Sequence, residues 1–215
     1  MCNRYRMSAK QAELARSYGI KPPYPEDVTL PPPELFPKRP AWVVREEAGG
    51  RRIDVMRWGF RHFVTGASGK RIEKQVTNVR NYTSPFWRSA LASPERRCLV
   101  PVTSFSEYGP GPVGAKPLYW FSMPSRPLFS FAGVWRPGPE GPLFAFLTCE
   151  PNAMVAPIHP KAMPVILHLE DEETWLSADM SSALALAAPF PTQLMAVAEG
   201  ESTGAATAAG LFAEG

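Results

Sequence analysis

The sequence predicts an α+β domain built on a folded-over, mostly antiparallel β-sheet that partly closes into a barrel, with short helices at its periphery. Three observations lead there. Strand-like runs follow one another directly instead of alternating with helices, which disfavours a parallel βαβ sheet. Twenty-five prolines in 215 residues, about twice ordinary usage, argue against long helices. Hydrophobic residues make up 45% and charged residues 20% of the chain, a balance that supports a packed core.

Taken in order, residues Ser8 to Tyr18 predict a first helix, with Ser8 as N-cap and Gly19 just past its end. Lys21 to Pro40 is proline-rich and reads as extended surface chain. Strands are expected over Trp42–Arg45, Ile53–Trp58, Cys98–Thr103, Leu118–Phe121, Leu128–Val134, Leu143–Thr148 and Met163–Leu167. Each is short, rich in β-branched or aromatic residues, and bounded by Gly or Pro. Gly49-Gly50 reads as the hairpin turn between the first two. Ser84–Leu91, Asn152–Ile158, Glu170–Ser177 and Ser181–Ala188 read as short helices. A single domain is expected over 1–195, followed by a flexible Ala/Gly-rich tail over 196–215. The chain contains no internal repeat.

Net charge is +3, unevenly spread. From Glu170 onward there are eight acids and no Lys or Arg, so the preceding part carries 23 cations against 12 acids. A basic body suits a polyanion, and a solvated basic face is equally consistent with composition alone. No apolar run approaches the ~20 residues that span a bilayer, and no signal peptide is evident, so a cytoplasmic protein without membrane contact is expected. In a bacterium that location includes association with the nucleoid. Three cysteines (Cys2, Cys98, Cys149), with no C-x-x-C pair, disfavour a disulfide framework or a zinc site. No metal, cofactor or obligate protein partner is expected.

Four places hold residues able to do chemistry. Cys2 would become the first residue once Met1 is removed, since its side chain is small. A free α-amine beside a thiol forms a Schiff base with an aldehyde, and the thiol then closes a thiazolidine. The amine titrates near 7.7–8.0, so far more of it is neutral at pH 7 than of a lysine. An incidental cysteine is the plainer alternative. Asn78, in Thr77-Asn78-Val79-Arg80-Asn81, can hydrogen-bond an oxygen or nitrogen of a reacting group, and Arg80 can hold a phosphate. A turn with a salt bridge also accounts for this stretch. Glu107 falls at a strand end among aromatics, where its pKa can rise into the range useful for proton transfer; an exposed hairpin glutamate fits as well. His159, between a short helix and an apolar strand, suits a proton shuttle, though a lone histidine is more often structural.

The ordered set Met1-Cys2-Asn3-Arg4-Tyr5, Trp58-Gly59-Phe60, Asn78-Val79-Arg80, Arg97–Pro101, Phe105–Tyr108, Ala132–Trp135, Leu147-Thr148 and Ile158–Leu167 resembles the SRAP (SOS response-associated peptidase) family from residue 1 to about residue 190. The resemblance implies a SRAP fold that binds single-stranded DNA in a basic groove. It implies reaction with the ring-opened aldehyde of an abasic site, giving a thiazolidine DNA–protein cross-link that shields the lesion. By that likeness Cys2 is the nucleophile, Asn78 positions the aldehyde and imine, and Glu107 relays protons. His159 helps open the sugar and assists strand scission (an AP-lyase activity) or reversal. Arg4 and Arg80 hold flanking phosphates, and Thr148 contacts the site.

The chain departs from the family pattern in four places. Asn3 replaces a common Gly, Tyr82 stands where Glu is frequent, and His159 is one residue further from Met163-Pro164 than in H-x-R-M-P. The stretch after Trp58-Gly59-Phe60 lacks the usual Pro and tryptophans. Two other readings remain open: a thiol peptidase using Cys2 or Cys98 with His159, and a passive single-stranded DNA-binding module.

Overall fold

The computed structural model describes residues 2–20, 31–48 and 50–200. In chain order these form β1 (Tyr5–Arg6), α1 (Gln11–Ser17), β2 (Glu34–Leu35), β3 (Pro40–Glu47), β4 (Gly50–Trp58), β5 (Phe60–Thr65), β6 (Arg71–Val76), β7 (Asn78–Val79), α2 (Pro85–Ala92), β8 (Arg97–Val102), β9 (Ser104–Tyr108), β10 (Leu118–Ser122), β11 (Phe129–Arg136), β12 (Leu143–Cys149), β13 (Met163–Pro164), β14 (Ile166–Leu167), α3 (Glu172–Ser177), α4 (Met180–Ala185) and β15 (Ala196–Gly200).

The larger sheet runs β12–β4–β3–β8–β11, and β11 pairs again with β12, so the path closes on itself as the expected barrel. Closure removes the unpaired edges that an open sheet leaves exposed. Its pairings are antiparallel except where β4 and β7 lie parallel to β12. The second sheet, β15–β10–β9–β1–β2, is wholly antiparallel and holds the N-terminal strand between β9 and the edge strand β2. Tyr5 on β1 joins the two. Its ring meets Trp58 at 5.2 Å, Phe131 at 6.0 Å and Phe146 at 6.2 Å, each edge-on. Such edge-to-face pairs add about 0.5–1.5 kcal/mol each beyond area burial.

Two buried charges fasten the helices to the barrel. Arg97, at the start of β8, donates to the carbonyls of Leu91, Trp175 and Ala178, tying α2 to the end of α3. Glu172 is fully buried and accepts from Ser130, Arg126 and Arg51. The acidic C-terminal part is thereby anchored on the back of the barrel.

Several elements differ from expectation. The first helix starts at Gln11, because Ser8 instead meets the Thr103 hydroxyl at 3.2 Å through both its N–H and its own hydroxyl. Residues 152–158 form successive turns and no helix. Asn152 Oδ1 takes the N–H groups of Met154 and Val155, and Pro157 has no N–H with which to continue. The β5–β6 hairpin emerges where no strand was expected. Ala196–Gly200, within the expected tail, pair with β10 as β15. The expected turn at Gly49 and the rest of the tail, 201–215, lie outside the described residues, as do residues 21–30 of the proline-rich stretch. The β3–β4 pairing that the turn implied is present, with Glu47 opposite Gly50.

Gly133 on β11 faces Cys98 on β8. A methyl group there would lie 2.8 Å from Cys98 Sγ and 2.9 Å from Val100 Cγ2. Overpacking of that kind costs about 1–3 kcal/mol. Gly133→Ala should therefore lower unfolding free energy by that amount in a urea titration; an unchanged midpoint would show that the barrel wall yields at this point.

Candidate active site

The N-terminal strand places the first candidate. Ser106 donates to the Arg4 carbonyl through its N–H at 3.0 Å and its hydroxyl at 3.3 Å, which locks β1 onto β9. Cys2 precedes β1, is only 1% exposed, and its thiol lies 3.5 Å from the same carbonyl. Burial raises the Cys2 thiol well above its ordinary pKa, and the nearby Glu107 carboxylate raises it further.

Glu107 comes from the fourth position of β9 and is 5% exposed. Burial pushes its carboxyl up to about 7. Its Oε2 lies 3.8 Å from His159 Nε2, beyond hydrogen-bond length, and its Oε1 has no hydrogen-bond partner among the described residues. The His159 ring is fixed from the other side, with Nδ1 2.9 Å from the Ala162 carbonyl. A carbonyl only accepts, so Nδ1 carries the proton and the neutral ring turns a lone pair on Nε2 toward Glu107. Burial lowers the His159 pKa, which favours that neutral form. The longer spacing to Met163 is taken up by Pro160-Lys161-Ala162, which curl back over the imidazole; Met163-Pro164 then pair with Thr148-Cys149 as β13.

Asn78 enters from β7. It is 4% exposed; Oδ1 accepts from Thr77 Oγ1 at 3.2 Å, and Nδ2 is buried without a partner among the described residues. Trp58 Nε1 holds the Thr77 carbonyl at 3.0 Å, and the same indole packs against Tyr5, so the residue before Asn78 is tied through Trp58 to the strand that follows Cys2. Gly59 makes this connection possible. Its φ of +118° is open to glycine, and a Cβ there would lie 2.9 Å from Gln75 Oε1. Buried polar atoms without partners are rare in folded proteins. Here two of them belong to Asn78 and Glu107, which leaves a donor and an acceptor available to a bound molecule.

The arginines are placed differently. Arg4 is largely buried and paired with Glu34, its Nε 2.6 Å from Oε1, between the rings of Phe36 and Trp120 at 5.4 and 5.3 Å. Arg6 shares Glu34 at 3.1 Å and lies 3.7 Å over Trp120. Glu34, Arg6 and Trp120 escaped the sequence reading, because β1 and β2 pair across nearly thirty residues of chain. Arg80 binds Glu150 at 2.6 Å and the Lys161 carbonyl, so it braces the turn that carries His159. The Thr148 hydroxyl donates to the Val79 carbonyl at 3.3 Å. Tyr82, standing where the family often has Glu, donates to the Thr148 carbonyl at 2.7 Å. Cys98 sits in the barrel wall opposite Gly133, and burial raises its thiol pKa. No group of three His, Cys, Asp or Glu able to hold a metal occurs among the described residues, and no described helix is long and apolar enough to cross a membrane.

The arrangement brings Cys2, Glu107 and His159 together, while Asn78 stands on β7, which pairs with β12 of the larger sheet. It can supply a nucleophile, a carboxyl that changes protonation near neutrality, and a neutral imidazole. Comparison with known proteins agrees with the fold and the motifs. The chain is 29% identical over 185 residues to the abasic site processing protein YoqW of Bacillus subtilis (strain 168), covering 82% of this chain and 80% of that one. It is 27% identical over 190 residues to abasic site processing protein YoaM of the same organism, covering 85% and 82%. A crystal structure from Bacteroides thetaiotaomicron superposes with a TM-score of 0.76 at 24% identity, covering 92% of this chain and 91% of that chain. One from Bordetella bronchiseptica superposes at 0.74 with 18% identity, covering 93% and 100%. The family model described as SOS response associated peptidase (SRAP) matches residues 1–201, and the chain belongs to that family.

Proposed function

We propose that this protein processes abasic sites in single-stranded DNA by capturing them covalently on Cys2. Removal of Met1 frees the Cys2 α-amine. The amine adds to the C1′ aldehyde of the ring-opened sugar, and loss of one water leaves an imine. The thiol sulfur then bonds to the imine carbon, and its proton passes to the imine nitrogen. The product is a thiazolidine, and the overall change releases one water with no oxidant or reductant.

One observation carries this reading: Glu107, a buried carboxyl that titrates near neutrality, lies beside both the Cys2 thiol and the His159 ring. A protonated Glu107 can give a proton to the departing hydroxyl, and its carboxylate can then take one from the thiol. Neutral His159 is suited to assist ring opening, strand scission or reversal. The unpaired Asn78 Nδ2 is suited to hold the aldehyde oxygen. The two Bacillus subtilis proteins named for abasic site processing support the substrate class. A thiol peptidase is the weaker reading. Its thiolate needs a lowered pKa, whereas burial raises Cys2 and Cys98. A passive binding module gives no purpose to Glu107 Oε1 and Asn78 Nδ2, which are buried without hydrogen-bond partners among the described residues.

Incubation of Met1-processed protein with single-stranded DNA carrying one abasic site should give a heat-stable shifted band on a denaturing gel. Intact DNA should give none. Cys2→Ala should abolish the band yet keep salt-dependent binding; an equally strong band from Cys2→Ala would refute the assignment. Glu107→Gln should slow cross-linking by about 10²-fold, and an unchanged rate would remove the carboxyl from the mechanism.

The Glu107 shift also has a stability signature. Its folded-state value, about 7, lies above the ordinary 4.5, so the folded protein holds a proton that the unfolded chain releases. That contribution is complete below 4.5 and is lost as pH rises through about 7. Relative to wild type, Glu107→Gln should therefore become more stable across this window, by on the order of 1–3 kcal/mol. Urea denaturation at several pH values checks this; a pH-independent difference would mean that Glu107 is not raised.

A further inference from the structure

We infer that the β5–β6 ribbon is an arm that grips the DNA backbone flanking the site, an inference that rests on the DNA reading above. β5 starts directly after Trp58-Gly59, and β6 ends directly before Thr77-Asn78. Both ends of the ribbon are therefore rooted at the candidate site. The base is held by Phe60, packed 5.0 Å from Trp87, and by His62, edge-on to Phe86 at 4.8 Å. Six residues per strand carry the ribbon about 20 Å outward, the length of roughly six nucleotides in a helical strand.

The outer part of the ribbon has the chemistry of a nucleic-acid surface. Lys70, Arg71, Ile72, Glu73 and Lys74 are all exposed. Among the described residues no acid pairs with Lys70, Arg71 or Lys74. The ribbon's one carboxylate, Glu73, lies 3.3 Å from Arg61, which it shares with Glu140. The neighbouring strands contrast with this, since Arg45, Arg51, Arg52 and Arg57 each meet an acid. Phe63 and Ile72 are 44% and 45% exposed, and the Arg71 guanidinium lies 3.9 Å over the Phe63 ring. Exposed aromatic surface among unpaired cations is the combination that stacks on bases while neutralising phosphates. Nothing in the ribbon selects a base, so the grip is independent of sequence.

The test is the salt dependence of binding to single-stranded DNA of about 20 nucleotides, followed by fluorescence anisotropy. The triple variant Lys70→Gln/Arg71→Gln/Lys74→Gln should lower the slope of log K against log salt by about 2, since each lost phosphate contact on single strands removes ~0.7. Phe63→Ala should weaken binding about tenfold with the slope unchanged. Neither change should alter cross-linking of a short abasic oligonucleotide of about four nucleotides, nor the thermal midpoint. A wild-type slope retained by the triple variant would overturn the arm and leave covalent capture standing. So would a loss confined to anionic phospholipid vesicles, which would mark the ribbon as membrane-facing. Wild-type protein that neither cross-links nor binds DNA would overturn both readings.

Discussion

The burial of the N-terminal strand is the constraint on which the rest of the structure depends. Most chain termini fray at the surface. Here β1 is paired on both sides, by β2 and β9, and Tyr5 is sealed against Trp58, Phe131 and Phe146. The second residue is thereby delivered into the interior at a fixed place. Burial then sets the chemistry. It raises the Cys2 thiol, raises Glu107 to about 7 and lowers His159, so all three tend toward their neutral forms. A site of neutral groups suits an amine that must be unprotonated to attack and an acid that must hold a proton to release water.

The charges around this neutral core are handled in two ways. Around the candidate site and the barrel, several arginines are held by local acids or carbonyls: Arg4 by Glu34, Arg80 by Glu150 and the Lys161 carbonyl, Arg97 by three carbonyls. These interactions fix strands and turns, and a phosphate approaching Arg4 or Arg80 must compete with a carboxylate already in place. Lys70, Arg71 and Lys74 of the β5–β6 ribbon face water instead. On the proposed reading, positioning of the reacting groups and long-range attraction of a polyanion fall to different parts of one chain, joined where the ribbon meets Trp58 and Asn78.

Much of this was legible in the sequence, and what was missed has physical causes. Strands such as Cys98–Thr103 and Leu143–Thr148 show as apolar runs, because both of their faces are buried. The β5–β6 ribbon did not show, because water contacts both faces and no apolar alternation develops. Residues 152–158 carried a helical pattern that Pro157 and the Asn152 side chain convert into turns. Cys2, Glu107 and His159 could each be singled out, yet their convergence depends on pairings between distant strands that no local pattern encodes. The Arg4–Glu34 pair is hidden for the same reason.

Capture on Cys2 would leave a covalent product, and its mass is the most direct test. Intact mass spectrometry of the protein joined to an abasic oligonucleotide, followed by fragmentation of the digested adduct, reads out both stoichiometry and position. The expected product is a protein lacking Met1, joined to DNA with loss of one water, with the modification confined to Cys2 through both nitrogen and sulfur. An adduct on a lysine, or on a chain that retains Met1, would contradict it.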